Sequence, residues 1–377
     1  MKTRRLVSLI SLGLVFLASC TIEPPLFLRR PVATRLVLAT KVNVDVMWQV
    51  NWQTQWQFNW NVNALGPLGY SQPASMRLHI YTQDQYGAPA VHTVHNFVGT
   101  SSTMDVFVGT HNLLFHNNDS ETLLFSYDND LAPVHCYTRV ISSGLKTSNP
   151  VRTTAQKMAD IPTKAEEIEE EPVVLMPDGL FTLFDRDRVI TDNPDDYVFE
   201  DGRYVLKITG DLTPATYIYL IQIKLLNNNG RVVGSNGGAA ITGMAEGVNL
   251  WTKETHGNTV SVPMDVHMDR TQDMLGMRVL SFGLPGCNPY DEADVAAAPV
   301  KDHFLVLNVS YSNGSWKNVR IDITNEVQAL PLGGVITLEI DVDDLPPGEP
   351  PAVPDGGGFN ALVSEWDEQT GVTTISD

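Results

Sequence analysis

Apolar and polar residues alternate with a period of two along much of the chain. The clearest run places Trp48, Val50, Trp52, Thr54, Trp56, Phe58, Trp60 and Val62 at even positions, with Gln or Asn at nearly all odd ones. A period of two puts one set of side chains on one face of a strand. The run is longer than an ordinary strand, so a bend or turn is expected inside it. Leu36 to Val46 leads into it as a further strand-like stretch, and Arg77 to Tyr81 reads as a strand ended by Asp84 to Pro89. Short strands are expected at 103–108, 112–116, 122–127 and 134–141. Residues 142–172, rich in Ser, Thr, Pro and Lys, break the pattern and end in the acidic run Glu166 to Pro172. Strands resume at 204–209, 217–226, 238–242, 259–267, 277–282, 304–311, 319–323 and 335–341. Asn227 to Gly230 and Asn313-Gly314 are expected hairpin turns, because Asn and Gly accept positive φ. Pro346 to Gly358 reads as a spacer before a last strand, Phe359 to Trp366. No segment has the pattern of an amphipathic helix. The chain reads as all-β, with an N-terminal β-sandwich over 36–165, a linker over 166–176 and a C-terminal β-sandwich over 177–377.

The first twenty residues change this picture by adding an address. Lys2, Arg4 and Arg5 precede an apolar run, Leu6 to Leu17, that is short for a bilayer span and typical of a secretory signal. The run closes on Leu17-Ala18-Ser19-Cys20, which fits the bacterial lipobox. Small side chains admit the peptidase, and the thiol accepts the diacylglyceryl group. Residues 1–19 are therefore expected to be a signal peptide, Cys20 a lipidation site, and 20–35 a tether to the outer membrane; several acyl chains anchor stably where one is marginal. Losing residues 1–19 removes three basic residues and no acids, which leaves 22 basic against 44 acidic residues, a net of −22. That balance disfavours nucleic acid as a partner. Beyond Cys20 the cysteines are Cys136 and Cys287, expected as two buried thiols rather than a bridge.

Candidate chemistry is sparse. The chain has no G-x-S-x-G, no H-E-x-x-H and no Walker loop. Gly234-Ser235-Asn236-Gly237-Gly238 is expected to be a hairpin loop, since no Lys and helix follow it. Five of nine histidines lie between 92 and 135, but His92 and His95 fall on opposite faces of a strand, which argues against shared zinc. Asp185-Arg186-Asp187 begins like a calcium loop, but Val189 and Ile190 stand where an oxygen ligand and the turn glycine belong. No catalytic residue, metal site or cofactor is therefore assigned. A row of indoles at Trp48, Trp52, Trp56 and Trp60 could stack sugars, although the same alternation is what a core-lining strand shows.

Several stretches together resemble the fimbrillin-like lipoproteins of the Bacteroidota. Leu114-Phe115-His116-Asn117-Asn118-Asp119-Ser120-Glu121 is similar to their YNNDTE-like signature. Pro177-Asp178-Gly179-Leu180-Phe181 resembles their PDxL step, Ala239 to Ala245 their LSGMA strand, and Arg320 to Val327 their FDVTDQV stretch. Gly356 to Trp366 resembles their final G-rich turn and tryptophan strand. The resemblance implies two tandem transthyretin-like β-sandwich domains after a lipoprotein signal peptide. It implies no enzyme, but a role as an anchor, accessory or assembly subunit of fimbriae or in cell adhesion at the outer-membrane surface, with fimbrial subunits as partners by strand addition. In that family shaft subunits are cut by an arginine-specific protease, and Arg35, just before Leu36, is the candidate cleavage position. The competing reading is a surface glycan-binding lipoprotein that uses the Trp48–Trp60 stripe.

Overall fold

The structure, a computed structural model, describes residues 34–42, 50–84, 86–127, 133–145, 148–162, 171–191, 193–200 and 203–349. Cys20, Trp48, the acidic run up to Glu170 and the expected last strand Phe359 to Trp366 lie outside them.

Within these residues the chain is built mainly of strands. It opens with β1 (Thr34–Val42), β2 (Ser75–Gln83), β3 (Pro89–Val98), β4 (Ser101–Val106) and β5 (Gly109–Asn117). It then leaves for a small sheet through β6 (Leu123–Tyr127) and β7 (Val134–Thr138), and gives β8 (Val140–Ser142), β9 (Asn149–Val151) and β10 (Val173–Val174) to a seven-stranded sheet. It returns to the first sheet with β11 (Phe181–Ile190), β12 (Val198–Glu200) and β13 (Arg203–Pro214). The remaining strands are β14 (Tyr217–Leu226), β15 (Val232–Ala245), β16 (Gly247–Asn249), β17 (Thr259–Met264), β18 (Val266–Asp269), β19 (Met274–Ser281), β20 (Phe304–Tyr311), β21 (Trp316–Asp322) and β22 (Gly334–Asp341).

Pairing runs β3-β2-β5-β11-β13-β1-β4, with β12 on β13, in the first sheet. β11 and β13 share only Phe181↔Pro214 and Thr182↔Thr213, so this sheet folds over at that seam. Met76, Leu78 and Ile80 of β2 and Leu113 and Phe115 of β5 meet Met104, Val106, Ile208 and Leu212 in one buried cluster. A second pair of layers consists of β8-β10-β17-β15-β20-β21-β9 and β18-β19-β14-β22. Its core joins Tyr217, Tyr219, Ile221 and Ile223 to Ile241, Val262, Leu305, Leu307 and Ile321. The pairing crosses the boundary expected from composition. β8 and β9, before residue 165, join strands of the second half, while β11 to β13, after residue 177, join strands of the first.

Two expected turns resolve differently. Asn313-Gly314 closes a true hairpin between the antiparallel β20 and β21, with Gly314 at φ 81°. Asn227, Asn229 and Gly230 also take positive φ, but β14 and β15 belong to different sheets, so this turn carries the chain between layers and is no hairpin. The glycine-rich Gly234 to Gly238 lies inside β15 as a bulge between Ser235 and Ala239 rather than forming a loop. At Gly238 a Cβ would sit 2.6 Å from the Met264 carbonyl oxygen, so the bulge holds only with glycine there.

β14 is buried on both faces. One face is the core just described, and the other, Ile218 and Leu220, is covered by the aromatic segment 50–70. That segment is not the strand its alternation suggests.

Candidate functional site

From Val50 the segment forms a short helix α1 (Val50–Gln55) and, further on, α2 (Val62–Leu65). The expected strand over Trp48 to Val62 is therefore absent from residue 50 onward. A spacing of four residues returns a side chain to the same face of a strand and nearly to the same face of a helix, so Trp52 and Trp56 satisfy both patterns. The Trp56 N–H donates to the Trp52 carbonyl at 2.9 Å. Trp52 is buried, Trp56 and Trp60 are half-buried, and both Trp52 and Trp56 pack against the Ile218, Leu220 and Leu280 cluster. The rings of Trp56, Phe58 and Trp60 meet at interplanar angles of 57–66°, edge to face rather than in a row. Trp60 adds a perpendicular contact with His267 at 5.2 Å.

A buried amide holds this cover in place. Gln222 of β14 accepts the N–H groups of Gln57 and Phe58 at 2.8 and 3.1 Å, and donates to the Gln55 carbonyl and Thr337 Oγ1, both at 2.8 Å. The Phe58 ring lies over Gly276 of β19, where a Cβ would come within 2.5 Å of the ring. Two outcomes follow. Trp52→Ala is expected to cost about 3–5 kcal/mol, the range for emptying a buried aromatic site. Gly276→Ala is expected to cost about 1–3 kcal/mol by overpacking. Urea unfolding curves measure both, with the Gly276 effect relieved in a Phe58→Leu background.

The N-terminal strand has a different kind of placement. β1 lies inside the first sheet, parallel to β13 through eight residue pairs from Arg35↔Val205 to Val42↔Leu212. On its other side it is antiparallel to β4 through six pairs from Thr34↔Val106 to Ala39↔Ser101. Arg35 is thus the second residue of the strand, with its backbone between Val205 and Asp105.

The motifs around 117–121 and 177–181 meet in space. Asn117 accepts the Phe181 N–H at 2.8 Å and donates to the Gly179 carbonyl and to Asp119 Oδ1, both at 2.9 Å. Asp178 Oδ2 accepts from Ser120 Oγ, Glu121 N–H and Thr122 N–H at 2.8, 2.9 and 3.1 Å. These donors outweigh partial burial and hold the Asp178 carboxyl below its ordinary pKa; burial alone would raise it. The two motifs therefore clasp β5 to β11. They also line a cleft of about 350 Å³ whose other walls are residues 65–73 and Arg278 and Leu280 of β19.

On the face of β2 opposite the Met76, Leu78 and Ile80 cluster, three histidines form a chain. His116 Nδ1 is 2.8 Å from the Asn117 carbonyl, which can only accept, so this nitrogen carries the proton. The bare Nε2 of His116 then accepts from His79 Nε2 at 3.1 Å, and the bare Nδ1 of His79 accepts from His92 Nε2 at 3.0 Å. One tautomer set satisfies all three contacts. Burial, followed by neighbouring imidazoles and Arg77, pushes His79 down to about 3; burial pushes His116 down to about 4, against the bond to Asn117. Each nitrogen in these contacts is committed to a ring or a carbonyl, and among the described residues no group of three or more His, Cys, Asp or Glu could hold a metal ion. Cys136 and Cys287 are both free and buried. Sequence reasoning passed over His79, and only the β2–β3–β5 register brings it between its partners. It also passed over Arg278, whose contacts lie more than 200 residues away.

A family model matches residues 50–265, more than half of the chain, and covers the aromatic segment, both clasp motifs and the histidine chain. The chain belongs to the family described as domain of unknown function DUF5119. No curated protein matches it. Among solved structures, this DUF5119 chain is similar to a candidate adhesin from Bacteroides ovatus, with 12% identity, a TM-score of 0.49, and coverage of 86% of this chain and 95% of that one. It is also similar to the fimbrial anchor protein Mfa2 from Porphyromonas gingivalis, with 9% identity, a TM-score of 0.39, and 82% and 90% coverage. The tip fimbrial protein Mfa3 from the same organism gives 8% identity, a TM-score of 0.31, and 76% and 81% coverage.

Proposed function

We propose that this chain is a non-catalytic subunit of a fimbrial or adhesive assembly, held at the outer-membrane surface by a lipid on Cys20 and acting as its anchor or an accessory part. In this reading residues 1–19 are removed, and the two pairs of layers are transthyretin-like sandwich domains. The observation that carries it is the placement of β1. It is the strand nearest the lipid, and neighbours hydrogen-bond to it on both edges. A chain without it would expose the facing edges of β13 and β4, a slot shaped for one extended peptide of a partner.

An anchor keeps its own strand. The backbone at Arg35 is engaged on both sides, so a protease could bind it only after the end of β1 had come away. That supports an uncut subunit over a trimmed, polymerising one.

Mass spectrometry of the mature N-terminus from intact cells tests this reading, together with pull-down from fibre-bearing cells. Lipidated Cys20 and co-purification with a fibre are the expected results. A mature start at Leu36 sinks the anchor role. Recovery of free monomer alone, under conditions that produce fibres, sinks the assembly role.

A further inference from the structure

The cleft between residues 65–73, the two clasp motifs and β19 contains one cation, Arg278. Its Nε donates to the Leu68 carbonyl at 2.9 Å and an Nη2 proton to the Gly69 carbonyl at 3.1 Å. Neither partner carries charge. Burial lowers the Arg278 pKa, and the one ionisable group it senses is Tyr70. Tyr70 is no counter-ion, because burial drives its own pKa far up and its hydroxyl donates to the Thr216 carbonyl at 2.7 Å. A half-buried guanidinium held by two carbonyls, with no partner for Nη1 among the described residues, is short of an anion.

Two carboxylates share the cleft, and they differ. Asp119 is spent, since Oδ1 accepts from Asn117 and Oδ2 from the Ala74 N–H. Asp178 is half spent. Ser120 Oγ and the Glu121 and Thr122 N–H groups all meet Oδ2, none of them reaches Oδ1, and the Thr122 hydroxyl adds a further bond to the carboxylate. A simple anion would therefore meet Arg278 and two negative charges together, which is unfavourable. A ligand that offers a carboxylate to Arg278 and a hydrogen-bond donor to Asp178 would satisfy both. The apolar remainder of the wall, including Leu280, Phe181 and the edge of Tyr70, suits a compact ligand body, and the cleft volume lies at the lower end of small-molecule sites.

We infer that this cleft is a binding site for a small ligand carrying a carboxylate beside a hydroxyl or ammonium donor, with Arg278 and Asp178 as its two polar contacts. Such chemistry comes from an acidic sugar or from an amino acid. The site does not depend on β1 or on the fimbrial reading.

Calorimetric titration of detergent-solubilised full-length protein with glucuronate, alanine, glucose and acetate tests it. Glucuronate binding identifies the sugar source and alanine binding the amino-acid source. In either case glucose, which lacks the carboxylate, and acetate, which lacks the donor, should bind at least tenfold more weakly. Arg278→Gln is expected to lose at least tenfold in affinity. Because Arg278 also holds residues 68 and 69, Ser71→Trp provides an independent check. It fills the cleft from its exposed rim, and is expected to abolish binding with the unfolding temperature unchanged. Absence of binding by both glucuronate and alanine overturns the inference, as does undiminished binding in folded Ser71→Trp.

Discussion

Val37→Pro is expected to unfold the first sheet locally and to cost about 3 kcal/mol or more. Val37 sits mid-strand between Lys207 of β13 and Thr103 of β4. Proline there removes a ladder donor and introduces a ring where two neighbouring strands leave no room. The same site gives the sharper experiment. A chain lacking residues 34–42 should have a low unfolding temperature that a synthetic nine-residue peptide, Thr34 to Val42, restores in trans in a concentration-dependent way. The peptide carrying Val37→Pro should not restore it. If the deleted chain melts like the parent, or if the proline peptide rescues equally well, β1 is decorative and the slot does not exist.

The second large effect is acid lability. His79 and His116 are neutral in the folded chain, at about 3 and about 4, against an ordinary value near 6.5 once unfolded. The unfolded chain therefore binds more protons below 6.5. The stability tied to these rings is complete above that value and falls as the pH drops towards 4, levelling only near the folded values. The slope is about 1.4 kcal/mol per pH unit for each ring, so at pH 5 His79 alone accounts for a loss on the order of 2 kcal/mol. Protonating His79 Nδ1 also breaks its bond from His92, and Arg77 adds repulsion. Urea midpoints measured from pH 7.5 to 4.5 should fall steadily in the parent. In His79→Gln, which can hydrogen-bond but not titrate, the fall should be shallower. Parallel pH profiles for the two chains would remove His79 as the cause.

How much of this was legible depends on whether the decisive contact is local. The strand Tyr217 to Leu226 could be read because an apolar run bounded by turn residues suits a strand buried on both faces. The hairpin at Asn313-Gly314 was equally plain. The helix at 50–55 was not, since Trp52 and Trp56 fit both periods and its identity is settled by Gln222, some 165 residues away. The same holds for the boundary between halves. Composition marks 142–172 as a break, but which strands β8, β9 and β11 pair with is fixed by long-range registers that no local pattern encodes. The clasp motifs were visible as words without a grammar: Asn117 and Asp178 stood out, but their meeting beside Arg278 did not. The lipidation proposed at Cys20 is the opposite case: it rests on four adjacent residues outside the described structure and on no fold at all.

The register of β1 also sets an order of folding. A chain is made N-terminus first, and Arg35 must wait for Val205, 170 residues later, before its parallel partner exists. Throughout that interval the first sheet lacks the seam between β11 and β13. Pairings this distant in sequence form slowly and leave strand edges uncovered. For part of every molecule's life, β1 thus has one edge uncovered while its other edge can already pair with β4. A factor that holds nascent chains apart would act on that edge in the interval.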